Sequence, residues 1–229
     1  MNSDDSQRRL EEIFGKFPGI GPRQARRFVY HLLNKSPSAI KELIDLIADV
    51  KKSTSECEKC HRFFTHGHSK ASVCPTCADS ARDQATLMVV ARDSDFESVE
   101  RSGAYRGLYF ILGGTVPILD KEPEKRIRLK SLLERVSGTG AASPFKGFSE
   151  IILSLNTTPD GEHTEKIVKE AVERLMASSA GNSDGRSTGT DALYPSKVTV
   201  LGRGLSTGAE LEYADSETIK NAFDNRKQG

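Results

Sequence analysis

The 229-residue chain carries 33 basic against 32 acidic side chains, a formal net charge of +1, so attraction to a polyanion has to come from local patches. No run of about 18 apolar residues occurs, which excludes a helical membrane span of ordinary length. No apolar targeting segment opens the sequence, so a cytoplasmic protein of one large domain or two or three small ones is expected.

Leu10, Ile13, Phe14 and Phe17 recur at helical spacing and predict a first helix over residues 6–16, with Arg8, Arg9, Glu11 and Glu12 turned to water. The stretch FPGIGPRQARRF follows. Pro18 and Gly19 end that helix, Gly21 permits a tight turn, and Pro22 suits the first position of a second helix running to about Leu33. Its buried side is expected to be Ala25, Phe28, Val29, Leu32 and Leu33. A glycine-bracketed turn at a helix amino terminus offers free amides to a phosphate. Arg23, Arg26 and Arg27 add three guanidinium groups immediately after it. The whole resembles the helix-hairpin-helix element of DNA-repair proteins. That resemblance makes Gly19, Gly21, Arg23, Arg26 and Arg27 candidates for contact with a DNA backbone, which positions nucleic acid without reading its bases. A third helix is predicted from Ser36-Pro37 to about Val50, with Ile40, Leu43, Ile44 and Ile47 as a packing face.

The segment CEKCHRFFTHGHSKASVCPTC holds two Cys-x-x-Cys pairs thirteen residues apart. Each pair places two thiolates on one turn, and two such turns complete the tetrahedral sulfur shell that suits zinc. Cys57, Cys60, Cys74 and Cys77 are therefore the expected ligands of one structural Zn²⁺, in a closed site with no position left for a substrate. Disulfides are the alternative, disfavoured because all four cysteines fall within 21 residues and nothing points to an oxidising compartment. His61, His66 and His68 lie in the intervening loop and can each replace a sulfur.

Strand and helix then alternate. Strands are predicted at 86–91, 109–112, 150–155 and 197–202, and helices around 95–102, 123–136 and 162–177. Loops are expected at 137–147 and at 178–196, the latter small, polar and with almost nothing to bury. The alternation predicts a parallel sheet with helices on both faces, its functional edge at the carboxyl ends of the strands. Gly202-x-Gly204 with Gly208 is not a dinucleotide fingerprint, because Thr207 stands where a third glycine is wanted. The class is α/β and multidomain. The expected units are 1–54 (helix-hairpin-helix), 55–80 (four-cysteine zinc module), 81–180 (sheet domain) and 181–229 (mobile loop with a carboxyl-terminal strand and helix).

That order of parts is similar to the bacterial RecR family of recombination mediators, over roughly 8–136, 148–177 and 197–225. PGIGPRQARR, CEKC and CPTC, VERSGAYRGLYFILGGTVPILD, EIILSLNTTPDGEHT and GRGLSTGAELEYAD carry the resemblance. It implies a Toprim fold for the sheet domain, and DNA binding associated with Arg23 and Arg27. It further implies RecO- and RecF-type partners, a dimer or ring-like tetramer around DNA, and a cytoplasmic, nucleoid-associated protein without a membrane. The acidic loop with Asp160 and Glu162 corresponds to the family's RecO-contacting region, although the same carboxylates suit the start of a helix. Catalytic Toprim relatives use a glutamate after their first strand and an Asp-x-Asp after a later one. Here Ala91 stands at the first position, and Asn156 and Thr158 at the later motif, with Asp93, Asp95, Asp160 and Glu162 nearby. An alanine moves no proton and a neutral amide is a weak magnesium ligand, so the expectation is a DNA-binding mediator and no enzyme. The alternatives are a metal-dependent Toprim enzyme and a protein–protein adaptor without DNA contact.

Overall fold

Helical runs punctuated by Pro-Gly turns build the first of two units into which the chain divides, Met1–Thr54 and Ser55–Gly229. The computed structural model describes residues 3–66, 71–120, 122–138, 147–180, 195, 197–202, 216 and 218–220. The first unit holds α1 (Ser3–Phe14), α2 (Pro22–Leu33) and α3 (Pro37–Ser53). Helix α3 starts where Ser36 Oγ accepts the Ala39 N–H at 3.3 Å and Pro37 fills the first turn. Helices α1 and α2 meet through Phe14, whose ring packs edge-on against Phe17 and Phe28. Within α2, Ala25 and Val29 are buried while Leu33 is exposed, so the apolar face is shorter than its sequence suggests. The expected packing face of α3 lies open as well: Leu43, Ile44, Ile47 and also Val50 are exposed, and no residue of the helix is buried. A three-helix unit of this length has no second layer to cover that stripe.

In the second unit, short strands β1 (Thr54–Glu56) and β2 (Phe63–Thr65) pair and lead into a one-turn helix, α4 (Pro75–Ala78). The main sheet comprises β3 (Asp83–Val90), β4 (Gly107–Ile111), β5 (Glu150–Ser154) and β6 (Lys197–Val200). All pairings are parallel and the order is β4-β3-β5-β6. The connecting helices are α5 (Asp93–Ser102), α6 (Leu129–Ser137) and α7 (Pro159–Ala180). Side chains alternate across the sheet. Leu87 and Val89 of β3 join Phe110, Ile151 and Leu153 in a core closed by Leu132 and Val136 of α6 and Val168 and Val172 of α7. Met88 and Val90 face the other way, onto Phe96 of α5, with Tyr109 and Ile111. The topology reverses between β3 and β5, so the crevice of a doubly wound sheet lies beyond their carboxyl ends.

The predicted helix 123–136 is two pieces, a 3₁₀ turn (Pro123–Lys125) and α6. The break is tertiary. The Arg128 N–H bonds to the Leu112 carbonyl at the end of β4 (2.8 Å), which holds Arg128 at φ −81°, ψ 48° and outside the helix. Helix α7 starts three residues earlier than expected, with Pro159 supplying a preset first turn, and it runs through residues 178–180, where the sequence predicts loop. Most of the 137–147 loop, most of the 178–196 segment, and nearly all of GRGLSTGAELEYAD lie outside the described residues.

Candidate nucleic-acid interface and metal centre

The α1–α2 hairpin is built by backbone chemistry. Ile20 N–H bonds back to the Phe17 carbonyl (3.0 Å) across Pro18 and Gly19, and Gly19 has φ +76°. Proline second and a positive-φ glycine third define a type II turn. Gly21 then caps α2 in extended backbone (φ −86°, ψ 170°), its carbonyl accepting the Ala25 N–H at 2.9 Å. Pro22 has no N–H to give, and no side chain caps the helix, so the Arg23 and Gln24 amides lack intrahelical acceptors. A Cβ on Gly21 would meet nothing within 4 Å. Glycine suits the N-cap position it holds, and its backbone stands open to approach.

Arg23, Arg26 and Arg27 are all exposed on the first two turns of α2. Arg26 is partly committed, its Nε lying 3.5 Å from Glu11 Oε2. Among the described residues Arg23 and Arg27 have no ion-pair partner. The hairpin thus brings all five predicted residues to one helix start. Sequence reasoning passed over Gln7, Arg8 and Tyr30, which with Glu11 and Arg26 line a groove of about 270 Å³ between α1 and α2. The signal for Tyr30 was its spacing, four residues beyond Arg26 and seven beyond Arg23.

The four cysteines converge. Their sulfurs are buried and lie within 4.8 Å of one another, with Cys60 Sγ and Cys74 Sγ 3.7 Å apart. Four sulfurs held at the ordinary 2.3 Å zinc–thiolate distance stand about 3.8 Å apart, so the cage has the right size. The Cys74 N–H points at Cys57 Sγ (3.3 Å), the kind of donor that steadies a thiolate. Without a cation the sulfurs compete for protons. The Cys57 thiol is lowered, first by the hydrogen bond from Cys60 and then by Cys74 and Cys77, while Cys60 is raised by the reciprocal contacts. A divalent ion removes that competition by letting all four ionise. His61 stands apart from the set, with Nδ1 2.8 Å from Glu56 and its ring against Phe110. His68 lies outside the described residues.

This module is seated on the sheet. The Ile111 N–H on edge strand β4 bonds to the Cys60 carbonyl (2.8 Å), and the Phe63 N–H bonds to Asp93 Oδ1 (2.9 Å). Arg62 lies over the Phe96 ring at 4.1 Å and donates to Thr76 Oγ1.

At the carboxyl end of the sheet, Ala91 is fully buried just past β3. Asn156 and Thr158 are exposed beyond β5, where Thr158 caps α7 by accepting the Gly161 and Glu162 amides on its hydroxyl and carbonyl. Asp160 and Glu162 occupy the first turn of α7, where its dipole favours carboxylates. Asp160 Oδ1 accepts the Ile118 N–H (3.3 Å), and buried Thr164 accepts the Val116 N–H (2.8 Å), so the loop after β4 is tied to α7. Asp95 Oδ2 accepts the Arg92 N–H at 2.9 Å. Asp93, Asp95 and Asp160 are therefore engaged with backbone amides. Glu162 is exposed.

Comparison with known proteins adds three family matches: RecR helix-hairpin-helix over residues 8–51, a Toprim domain over 85–179 and RecR C-terminal over 204–227. The chain is 32% identical over 220 residues to Recombination protein RecR of Chloroflexus aurantiacus, covering 96% of this chain and 93% of that one. It is 33% identical over 219 residues to the protein of the same name from Ruegeria sp. (96% and 94%), and 32% over 213 residues to that of Bacteroides thetaiotaomicron (93% and 89%).

Proposed function

Because this chain belongs to the RecR family of recombination proteins, we propose that it is a non-enzymatic DNA-binding mediator of recombinational repair. In this reading it works with RecO- and RecF-type partners to load recombinase onto single-stranded DNA. The observation that carries the reading is the hairpin, in which α2 amides without intrahelical acceptors, an open Gly21 and two arginines with no ion-pair partner among the described residues meet at one exposed helix start. Such a surface grips phosphates of single or double strands without reading sequence.

The remaining parts follow. The expected division into residues 1–54, 55–80, 81–180 and 181–229 assigns DNA contact to the first, structural zinc to the second and partner contact to the third. One Zn²⁺ held by Cys57, Cys60, Cys74 and Cys77 locks the module whose Cys60 carbonyl caps the β4 edge. Asp160 and Glu162 form the partner-contacting turn, with Glu162 presented to solvent and Asp160 holding the loop beside it. Phosphoryl transfer has no support: Ala91 replaces the general acid–base carboxylate, and the neighbouring aspartates are spent on amides. The exposed α3 stripe supports self-association into a dimer or ring-like tetramer, in which several weak phosphate contacts act together. A cytoplasmic, nucleoid-associated location follows from DNA as the ligand.

The test is the salt dependence of DNA binding by zinc-loaded protein. Arg23→Ala and Arg27→Ala should each lower the slope of log affinity against log salt by about 0.9 on duplex and about 0.7 on single strands. An unchanged slope in the double variant sinks the hairpin reading. Magnesium-dependent strand cleavage lost on replacing Asp160 and Glu162 would favour a Toprim enzyme instead. Salt-independent behaviour with no DNA retention would favour an adaptor.

A further inference from the structure

The groove between α1 and α2 has a composition that packing within the unit does not require. Tyr30 is 52% exposed, and among the described residues its hydroxyl makes no hydrogen bond, while its backbone carbonyl accepts from the Asn34 side chain. Across from it on α1, Gln7 Nε2 donates to Glu11 Oε1 (3.4 Å), and Glu11 also braces Arg26, whose side chain remains 65% exposed. Arg8 completes the lining. Gln7, Arg8, Glu11, Arg26 and Tyr30 thus line a space of about 270 Å³, smaller than the roughly 300–1,000 Å³ of pockets for drug-sized ligands. Along α2, Arg23, Arg26 or Arg27, and Tyr30 fall at i, i+3 or i+4, and i+7. One helix face therefore leads from the hairpin amides to the ring.

We infer that this groove is a base-stacking subsite for single-stranded DNA. One unstacked base lies on Tyr30, its edge meets the Gln7 amide and Glu11 carboxylate, and its flanking phosphates meet Arg8 and Arg26. Stacking on an aromatic ring tolerates any base, because every base has a π face. In a duplex both faces of each base are covered by neighbours, so a duplex engages the hairpin through phosphates and leaves the ring empty. The inference rests on the DNA-binding reading above and adds to it a preference for single strands.

The chain contains no tryptophan, so Tyr30→Trp in the full-length, zinc-loaded protein installs a single indole at the groove. Titration with oligo-dT is expected to quench its emission, and a blunt duplex of the same length is expected to leave the emission unchanged. By fluorescence anisotropy, Tyr30→Ala should weaken oligo-dT binding about tenfold, the scale of one lost base stack, without weakening duplex binding. Tyr30→Phe should bind as wild type. Unquenched emission at saturating oligo-dT overturns the subsite, as does an equal loss on both DNA forms in Tyr30→Ala. Binding that depends on Arg23 and Arg27 but ignores Tyr30 overturns the subsite alone. A wild-type protein that binds neither DNA overturns the DNA reading with it.

Discussion

An alanine at position 19 would have to adopt φ +76°, a left-handed backbone that costs a residue with a Cβ about 1–2 kcal/mol. At position 21 the backbone is ordinary and the added methyl meets nothing. The two glycines therefore separate folding from binding. Gly19→Ala should lower unfolding free energy by about 1 kcal/mol in denaturant titration. If the proposed DNA contact holds, Gly21→Ala should weaken DNA binding with little change in stability, because its methyl would stand where a phosphate would approach. Equal effects of the two changes would remove the distinction. Gly161 is a glycine of a third kind: a Cβ there would lie 1.9 Å from the Asn156 carbonyl oxygen. Gly161→Ala should cost about 1–3 kcal/mol, as overpacking does, and displace the first turn of α7 with Asp160 and Glu162.

Among the elements, β4 is an edge strand whose exposure the cysteine module relieves, through the Cys60 carbonyl and the Ile111 amide. Removing the metal with a chelator should free that edge, speed hydrogen exchange at Ile111 and promote self-association of the sheet unit. Elemental analysis should return one zinc per chain, lost in Cys60→Ser. The sheet also carries pH sensitivity of both signs. Burial pushes the Tyr105 hydroxyl up to about 12. Its contribution to stability is present below the ordinary tyrosine value of about 10 and lost as pH rises from there through about 12. Tyr105→Phe should flatten the alkaline limb of an unfolding-versus-pH curve between those values. Glu150 is held below its usual range, first by the Thr199 hydroxyl and then by Lys197. What it adds to the β5–β6 pair is present above the usual glutamate range and lost as pH falls below it.

For the molecule as a whole, the exposed Ile44 and Ile47 on α3 bear on assembly. Light scattering of zinc-loaded protein should give two or four times the mass of one chain. Ile44→Asp with Ile47→Asp should reduce it to a monomer that binds DNA more weakly although every arginine is intact, since linked sites raise effective concentration. A wild-type monomer of unchanged DNA affinity would end the assembly reading.

Local chemistry was legible in the residues themselves. The residues mark the helix ends at Pro18-Gly19 and Pro22, two Cys-x-x-Cys knuckles and an alternation of βα periods. They put the tight turn at Gly21, however, whereas the left-handed residue is Gly19 and Gly21 is extended. Helix ends and each single Cys-x-x-Cys turn are set within a few residues of chain, while the meeting of the two cysteine pairs and the pairing of the strands span longer separations. Tertiary structure decided what depends on distant partners. The Leu112 carbonyl cuts the predicted 123–136 helix at Arg128, and the backbone amides of Phe63 and Ile118 take up Asp93 and Asp160. It also left the α3 stripe open and set Tyr30 in a groove opposite Gln7, Arg8 and Glu11. Periodicity reports which side chains share a face, but a hydrogen bond across 16 or 42 residues leaves no periodic trace, so only the folded chain shows which polar groups are already satisfied.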